Sequence, residues 1–371
     1  MNNIKTSNIP QMSVGTIVSK LSEAYSDIIN RGIPINVFPS VMLWGPPGVG
    51  KSQAIKQIAR EISDSTGKKT VVTDVRLLLF NPIDLRGIPT ANEDKTLAIW
   101  LKPQIFNMNP NNNIVNILFL DEISAAPQSV QAAAYQITLD RVVGEHKLPD
   151  NCIVIAAGNR ITDKSVAYKM PKALANRLMH IEVVSSFKAW KDWAIKSGIH
   201  QKVIGFLSFR NDLLNNDNVS SEELAFNTPR TWEMVSNILN AVSDDVDKVY
   251  QLISGLVGNG AAIEFRTWCK VYNKLPNVED IFLGKNVEVP KETDVMYALI
   301  YSMVGYARIH KNDLKAIGKS ISYSEKLPPD FSVILMKDYM SIEKGYREKL
   351  LRIPEFSKWM ATKGRLLNGL K

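Results

Sequence analysis

The chain has 371 residues, of which 45% are hydrophobic and 22% are charged, as in an ordinary globular protein of two or three domains. Its two cysteines, Cys152 and Cys269, form no C-x-x-C pair, so neither a disulfide framework nor a zinc ribbon is indicated. The first residues show no signal-peptide pattern. The longest nearly uncharged run, 295–307, is shorter than the roughly 18–20 residues that cross a bilayer. We therefore expect a cytoplasmic protein with no membrane association.

The net charge of +8 is concentrated near the C-terminus. Residues 291–371 contain fifteen Lys and Arg against nine Asp and Glu. Such a surface could meet an acidic partner or nucleic acid. The alternative is a solvated helical face with no partner. The segment has no basic stripe interleaved with aromatic residues that would favour nucleic-acid binding. Nucleic-acid binding is therefore left open.

The N-terminal part of the chain alternates helices and strands. Apolar residues over 14–29 recur with a helical period and predict a helix, which Gly32 to Pro34 would end. A strand is predicted over 37–44. After a helix over 53–62, a run rich in β-branched residues predicts the next strand over 69–75.

A glycine-rich segment joins the strand over 37–44 to the helix that follows it. It reads G-x-x-x-x-G-K-S and consists of Gly45, Pro46, Pro47, Gly48, Val49, Gly50, Lys51 and Ser52. In this strand–turn–helix context the backbone N–H groups can surround phosphates, and the helix N-terminus adds partial positive charge. Lys51 would reach the β- and γ-phosphates, and the Ser52 hydroxyl would be a ligand of Mg²⁺. The alternative is a tight left-handed turn that binds nothing.

Residues 77–106 contain several helix breakers. Pro82, Gly87 and Pro89 make one continuous helix implausible. We predict instead a helix that is interrupted by an inserted hairpin.

The apolar run over 114–120 predicts a central parallel strand, and it ends in Asp121 and Glu122. Parallel sheets place ligand chemistry at the C-terminal ends of their strands. Asp121 would hold the Mg²⁺ with its water shell, and Glu122 would polarise the attacking water. The alternative is an Asp-Glu turn that caps the next helix.

A second buried strand, over 152–157, ends near Asn159, whose amide could orient the same water. The alternative is a turn residue that tolerates the left-handed conformation. The other elements predicted in this part are a helix over 128–139, a hairpin over 141–149, a short helix over 172–178 and a strand over 180–184.

Beyond residue 185 the spacing of apolar residues is helical. Thr228 and Pro229 suit the N-cap and first position of one of these helices. We predict three parts: an αβα nucleotide-binding core over 1–185, a helical lid over 186–288 and a basic helical segment over 289–371.

Five motifs in this order resemble those of the AAA+ ATPases, and within them the MoxR-like group of the helix-2-insert clade. They are GPPGVGKS at 45–52, ILFLDE at 117–122, AAGN at 156–159, ALANR ending at Arg177, and NTPR at 227–230. The interrupted helix and the hairpin before AAGN also fit this clade. The resemblance implies an α/β fold with a P-loop NTPase core and a parallel sheet, followed by an all-α lid and a helical C-terminal segment.

The resemblance also implies roles for individual residues. Asn159 corresponds to sensor 1, Arg177 to the arginine finger offered to a neighbouring subunit, and Arg230 to sensor 2. Arg160 is a rival for the arginine that acts in trans. Each arginine could instead stabilise a helix C-terminus with its charge, or pack the apolar part of its side chain against the protein surface. The insert over 83–100 and the hairpin over 141–149 would face the ring pore or a client.

The function that the resemblance implies is Mg²⁺-dependent ATP hydrolysis in a homo-oligomeric ring, expected to be a hexamer, that remodels or activates a partner protein. ATP and Mg²⁺ are the expected cofactors, and a protein with a von Willebrand factor A domain is an implied partner. The alternative is a nucleic-acid-associated motor or loader. A third interpretation, a nucleotide-gated switch with negligible turnover, is disfavoured by the intact Asp121-Glu122 pair.

Overall fold

The computed structural model describes residues 8–160, 168, 170, 175–216, 223–272, 275–343 and 345–368. They divide into two compact units with a boundary between Ser186 and Phe187. Within the second unit, one cluster of buried side chains contains residues from both sides of position 288, such as Phe265 and Trp359. The predicted separation of a lid from a C-terminal segment stays a prediction.

The first unit is built on one parallel sheet of six strands in the order β1-β10-β2-β9-β6-β3. The strands are β1 Gln11–Ser13, β2 Val41–Trp44, β3 Lys69–Arg76, β6 Ile114–Asp121, β9 Cys152–Gly158 and β10 Met179–Val184. The sheet confirms the predicted fold class, a P-loop NTPase core. The central strands β6 and β9 are buried almost throughout because helices cover both faces of the sheet, which explains their continuous apolar sequences.

Two apolar layers hold the helices against this sheet. Helices α1 (Val14–Asn30) and α2 (Lys51–Thr66) pack on one face, where Ile117 and Phe119 of β6 point. Helix α4 (Gln128–Asp140) packs on the other face against Leu118 and Leu120. The alternation along β6 follows from the two-residue period of a strand, so one apolar run supplies both layers.

The strand predicted over 37–44 is shorter in the structure, because it begins at Val41. Residues Ile35–Val37 form a 3₁₀ turn instead, and Val37 is 69% exposed. Pro39 lacks the N–H that a central strand needs, so pairing cannot start before it. The short edge strand β1 was not predicted, since three residues are too few to show the two-residue period of a strand.

Both predicted hairpins are confirmed. After the short helix α3 (Pro82–Arg86), strands β4 (Ile88–Ala91) and β5 (Ala98–Leu101) pair antiparallel, as do β7 (Val142–Val143) and β8 (His146–Lys147). Of the helix predicted over 172–178, residues 172–174 lie outside the described part. Ala175 is helical and is followed by a turn.

The second unit is helical in its described residues. Its helices are α5 Phe187–Ser197, α6 Gln201–Phe209, α7 Pro229–Ala241, α8 Val246–Val257, α9 Asn259–Tyr272, α10 Val278–Leu283, α11 Thr293–Ile309, α12 Leu314–Ser324, α13 Pro329–Met340, α14 Tyr346–Leu350 and α15 Pro354–Lys363. Thr228 caps α7 as predicted, since its hydroxyl accepts from Thr231 N at 3.1 Å. In the described part of the chain, no helix is both long and apolar enough to cross a bilayer. The expected cytoplasmic location stays a prediction.

Candidate functional site

The glycine-rich segment follows β2 directly, and its glycines are required by its geometry. A Cβ atom on Gly45 would lie 2.8 Å from the carbonyl oxygen of Val183 on the neighbouring strand. Gly48 and Gly50 have φ angles of +80° and +103°, which L side chains rarely adopt. The chain therefore turns sharply between strand and helix, and this turn gives the segment its concave backbone.

Lys51 is the first residue of α2, and only 9% of it is exposed. Its Nζ atom donates to Gly45 O at 2.5 Å, to Pro46 O at 3.0 Å and to Asn159 Oδ1 at 3.0 Å. The ammonium group is therefore held within the loop, beside the end of β9. Because these acceptors are neutral, an anionic phosphate oxygen would compete strongly for the same donors.

Ser52, the second residue of α2, contacts Asp121 at the end of β6. The Ser52 hydroxyl donates to Asp121 Oδ2 at 3.0 Å, and Asp121 Oδ1 accepts from Glu122 N at 2.9 Å. A hydroxyl and a carboxylate oxygen are the hard ligands that Mg²⁺ prefers, and Mg²⁺ is commonly held by one or two carboxylates plus substrate phosphates. The donor set of Ser52 and Asp121 therefore fits the metal that the sequence implies.

Glu122 has an unusual backbone conformation, with a φ angle of +59°. For a residue with a Cβ atom, the left-handed region costs roughly 1–2 kcal/mol. The bond from Glu122 N to Asp121 and the bond from Ile123 N to Ala157 O, at 2.9 Å, hold the chain on both sides of it. Such conformations persist only where the surroundings fix them, and they concentrate at functional sites.

Asn159 is fixed by a buried serine. Its backbone N–H donates to Ser124 Oγ at 2.8 Å, and Ser124 is only 2% exposed. A Cβ atom on Gly158 would approach the same hydroxyl oxygen to 2.8 Å, so only glycine allows this contact. Ser124 could not be recognised in the sequence, since a single serine after the Asp-Glu pair carries no motif. Asp74 on β3 was not predicted either; burial and the nearby Asp121 carboxylate raise its pKa.

Arg160 has a partner within its own chain. Its guanidinium donates to the carboxylate of Glu182 on β10, which is 3% exposed. Gln11 Nε2 donates to the second oxygen of Glu182 at 3.2 Å. A buried carboxylate is strongly destabilising without such partners. This arrangement gives Arg160 a role inside the subunit and does not favour it as the arginine that acts in trans.

The remaining predicted arginines lie elsewhere. Arg177 is exposed and precedes β10, whose first residue, Met179, pairs with Val41. Since β10 and β2 are parallel, Arg177 lies at the edge of the sheet opposite to the loop, and the length of β2 alone separates the two edges by about 13 Å. Arg230 is exposed in the first turn of α7, in the second unit.

The structure thus brings together four predicted residues, with Glu122 adjacent to them, from three separate segments of the chain. These four are Lys51, Ser52, Asp121 and Asn159. Asp121 is the last residue of β6, and the other three follow the C-terminal ends of β2 and β9, where ligand sites of parallel sheets lie. Arg177 is not brought to them within the same chain.

Comparison with known proteins gives partial similarities. The chain is 26% identical over 143 residues to the chaperone MoxR1 of Mycobacterium tuberculosis, covering 38% of this chain and 34% of that protein. It is 26% identical over 162 residues to replication factor C subunit 5 of Arabidopsis thaliana, covering 42% and 40%. A mutant RuvB structure from Thermotoga maritima is 19% identical, with a TM-score of 0.36 and coverage of 78% and 81%. The chain therefore spans about a third to two-fifths of the length of these two relatives.

One family model matches the part of the chain that carries the site. It is described as "ATPase family associated with various cellular activities (AAA)", and it matches residues 41–185. The matched range begins with β2 and ends just after β10, so it contains the loop, the acidic strand end and Asn159. Residues 41–185 are an AAA ATPase family domain.

Proposed function

We propose that this protein is a MoxR-like, Mg²⁺-dependent ATP hydrolase that works as a homo-oligomeric ring, a hexamer, in the cytoplasm to remodel or activate a partner protein. The observation that carries this proposal is the convergence of Lys51 and Ser52 with Asn159 and Asp121 at one edge of the sheet. A site that merely capped a helix would need neither the lysine nor the second strand end.

The residues divide the work of phosphoryl transfer among them. The loop N–H groups and Lys51 bind the β- and γ-phosphates, while Ser52 and Asp121 are the residues that would hold Mg²⁺. When bound, Mg²⁺ supplies charge neutralisation at the phosphates. Glu122 accepts a proton from the attacking water, and the Asn159 amide orients that water.

Arg177 completes the site of a neighbouring copy in this proposal. The opposite-edge position supports such a role, because about 13 Å of β2 separates Arg177 from the loop of its own chain. An arginine that reaches the transferring phosphoryl group is worth 10³–10⁵ in rate in related phosphoryl transfer. Arg230, proposed as sensor 2, would link the helical unit to the nucleotide state.

The Glu122→Gln variant tests the hydrolysis step. We expect ATP affinity within about twofold of wild type and turnover reduced at least about 100-fold, since general-base catalysis is typically worth 10²–10⁴. Glu23→Gln, an exposed substitution on α1 with the same change of charge, is the control. Unchanged hydrolysis by Glu122→Gln would remove Glu122 from the mechanism.

Mixed assemblies test Arg177. Arg177→Ala alone should lose most of its turnover, as should Lys51→Ala. When the two variants are mixed, an intact finger can meet an intact loop, and activity should return. Mixtures that stay inactive would point to a structural role for Arg177.

The second candidate, a nucleic-acid motor, is favoured by the basic C-terminal segment and the similarity to a replication factor C subunit. The ATPase rate with added duplex or single-stranded DNA is compared with the rate after adding a protein that carries a von Willebrand factor A domain. Both measurements use the same salt concentration, because phosphate contacts are salt-dependent. Stimulation by DNA alone would favour the motor.

A further inference from the structure

A half-buried histidine, His180, connects the two edges of the sheet. The indole Nε1 of Trp44 donates to His180 Nδ1 at 2.9 Å, and His180 Nε2 lies 2.7 Å from Ala175 O. The two ring planes are nearly parallel, with an interplanar angle of 22° and centroids 6.0 Å apart. Each nitrogen of the imidazole therefore has one hydrogen-bond partner.

The two partners select one tautomer of His180. An indole N–H is only a donor and a carbonyl oxygen is only an acceptor. Both bonds can therefore form only if Nδ1 is unprotonated and Nε2 carries the hydrogen. The neutral Nε2–H tautomer is the one form of His180 that satisfies Trp44 and Ala175 together.

The two hydrogen-bond partners of His180 lie beside the phosphate loop and beside Arg177. Trp44 is the last residue of β2, directly before Gly45, and Ala175 lies two residues before Arg177. The main chain between Arg177 and His180 is also attached to the start of β2, because Met179 N donates to Ser40 O at 3.0 Å. A displacement of the loop would thus be transmitted through Trp44 and His180 to the segment that carries Arg177.

We propose that His180 is a positioning residue that couples the phosphate loop of one subunit to the Arg177 that serves the next subunit. The inference rests on the proposed function, since it takes Arg177 to act on a neighbouring site. His180 itself does not contact the nucleotide. Its loss therefore impairs the arginine that its own subunit donates and leaves nucleotide binding by that subunit intact.

The His180→Phe variant keeps a planar ring and removes both hydrogen bonds. We expect its affinity for ATP to stay within about twofold of wild type. Turnover of the homo-oligomer should fall about 10–100-fold, because a catalytic group such as Arg177 that is misplaced by about 1 Å loses activity on this scale. Trp44→Phe removes the hydrogen bond between Trp44 and His180 from the tryptophan side. The turnover of the double variant should therefore be no lower than that of the more impaired single variant. His310→Phe, an exposed substitution in the second unit, is the control.

Mixed assemblies distinguish coupling from local damage. Lys51→Ala subunits cannot hydrolyse ATP but keep an intact Arg177. Mixing them with His180→Phe subunits should restore turnover, because the intact loops of His180→Phe then meet intact arginines. If the mixture stays inactive, His180 acts on its own nucleotide site and the proposal is wrong. His180→Gln, which keeps one donor and one acceptor, should retain part of the activity in the homo-oligomer.

A spectroscopic measurement makes the proposal independent of ATPase activity. The ¹⁵N spectrum of the imidazoles at neutral pH should show the Nε2–H tautomer for His180, assigned by its disappearance in His180→Gln. Replacing Trp44 by Phe should change that signal. An Nδ1–H tautomer in the wild-type protein would overturn the inference. Retained turnover in Glu122→Gln would instead overturn the proposed function while leaving the tautomer result intact.

Discussion

The two units of this protein use polar side chains differently. In the first unit four of them converge, since the buried Lys51 and the half-buried Ser52, Asp121 and Asn159 meet at one edge of the sheet. In the second unit they form separate pairs within the helical core. These pairs are Lys191 with Asp338 at 2.9 Å, Ser320 with Tyr339 at 2.9 Å, and Ser332 with Trp359 at 2.8 Å. Convergence of polar groups indicates a ligand site, whereas pairs dispersed through a core indicate packing.

The pair of Lys191 and Asp338 shows what such a packing role requires. Burial raises the pKa of the Asp338 carboxyl, and the Lys191 ammonium opposes that shift. Lys191 also lies 5.1 Å from the centre of the Tyr301 ring. The charge of each member is thus compensated inside the same helical core, and neither is left to bind a ligand.

The largest expected effect is on stability and comes from separating Lys191 from Asp338. Lys191→Met leaves a buried carboxylate without its cation and should cost about 3–5 kcal/mol of unfolding free energy in urea titrations. The double variant with Asp338→Leu should recover most of that loss. Lys188→Met, on an exposed part of α5, is the control. ATP affinity of the folded protein should not change, and a fall of tenfold or more would show that the pair is coupled to the site.

The next prediction concerns ATP binding in the first unit. Lys51→Ala should weaken ATP binding about 100-fold, equivalent to about 2.7 kcal/mol, because it removes charge-assisted hydrogen bonds to the phosphates. Isothermal titration measures the affinity, and Lys56→Ala, exposed on the same helix, is the control. The thermal midpoint should change little. An affinity equal to wild type would contradict a phosphate site at the loop.

The smallest effect is a pH dependence that belongs to the second unit. Burial and the nearby Lys202 lower the pKa of His200 from 6.5 to about 4. The native state therefore binds fewer protons than the unfolded state between these values, and stability is lost as the pH falls. From pH 7 to pH 5 the loss should be about 2 kcal/mol.

The substitution His200→Asn tests whether His200 causes this pH dependence of stability. His200 is the N-cap of α6, and its Nδ1 accepts from Lys202 N at 3.2 Å. Asparagine also caps helices well but does not titrate, so the urea midpoint of the variant should depend less on pH over this range. If the urea midpoint of the variant depended on pH as strongly as that of the wild type, another titrating group would control the pH dependence.

Much of the first unit could be predicted because its signals are local in sequence. The loop glycines, the acidic end of β6 and both hairpins are each encoded within a few neighbouring residues. The start of β2 was predicted too early, because the apolar run over 37–44 continues through Pro39, whose missing N–H prevents pairing before Val41. The edge strand β1 was missed because its pairing with β10 depends on a segment far along the chain.

The chemistry of the candidate site is readable in the sequence, because phosphate loops need glycines, a lysine and a hydroxyl in one short stretch. The contacts between residues from different segments follow only from the folded chain. Lys51 and Asn159 are 108 positions apart, Ser52 and Asp121 are 69 apart, and Trp44 and His180 are 136 apart. No local pattern encodes such contacts, since they depend on which strands become neighbours and in which register. The same topology places Arg177 at the opposite edge of the sheet, away from the loop of its own chain.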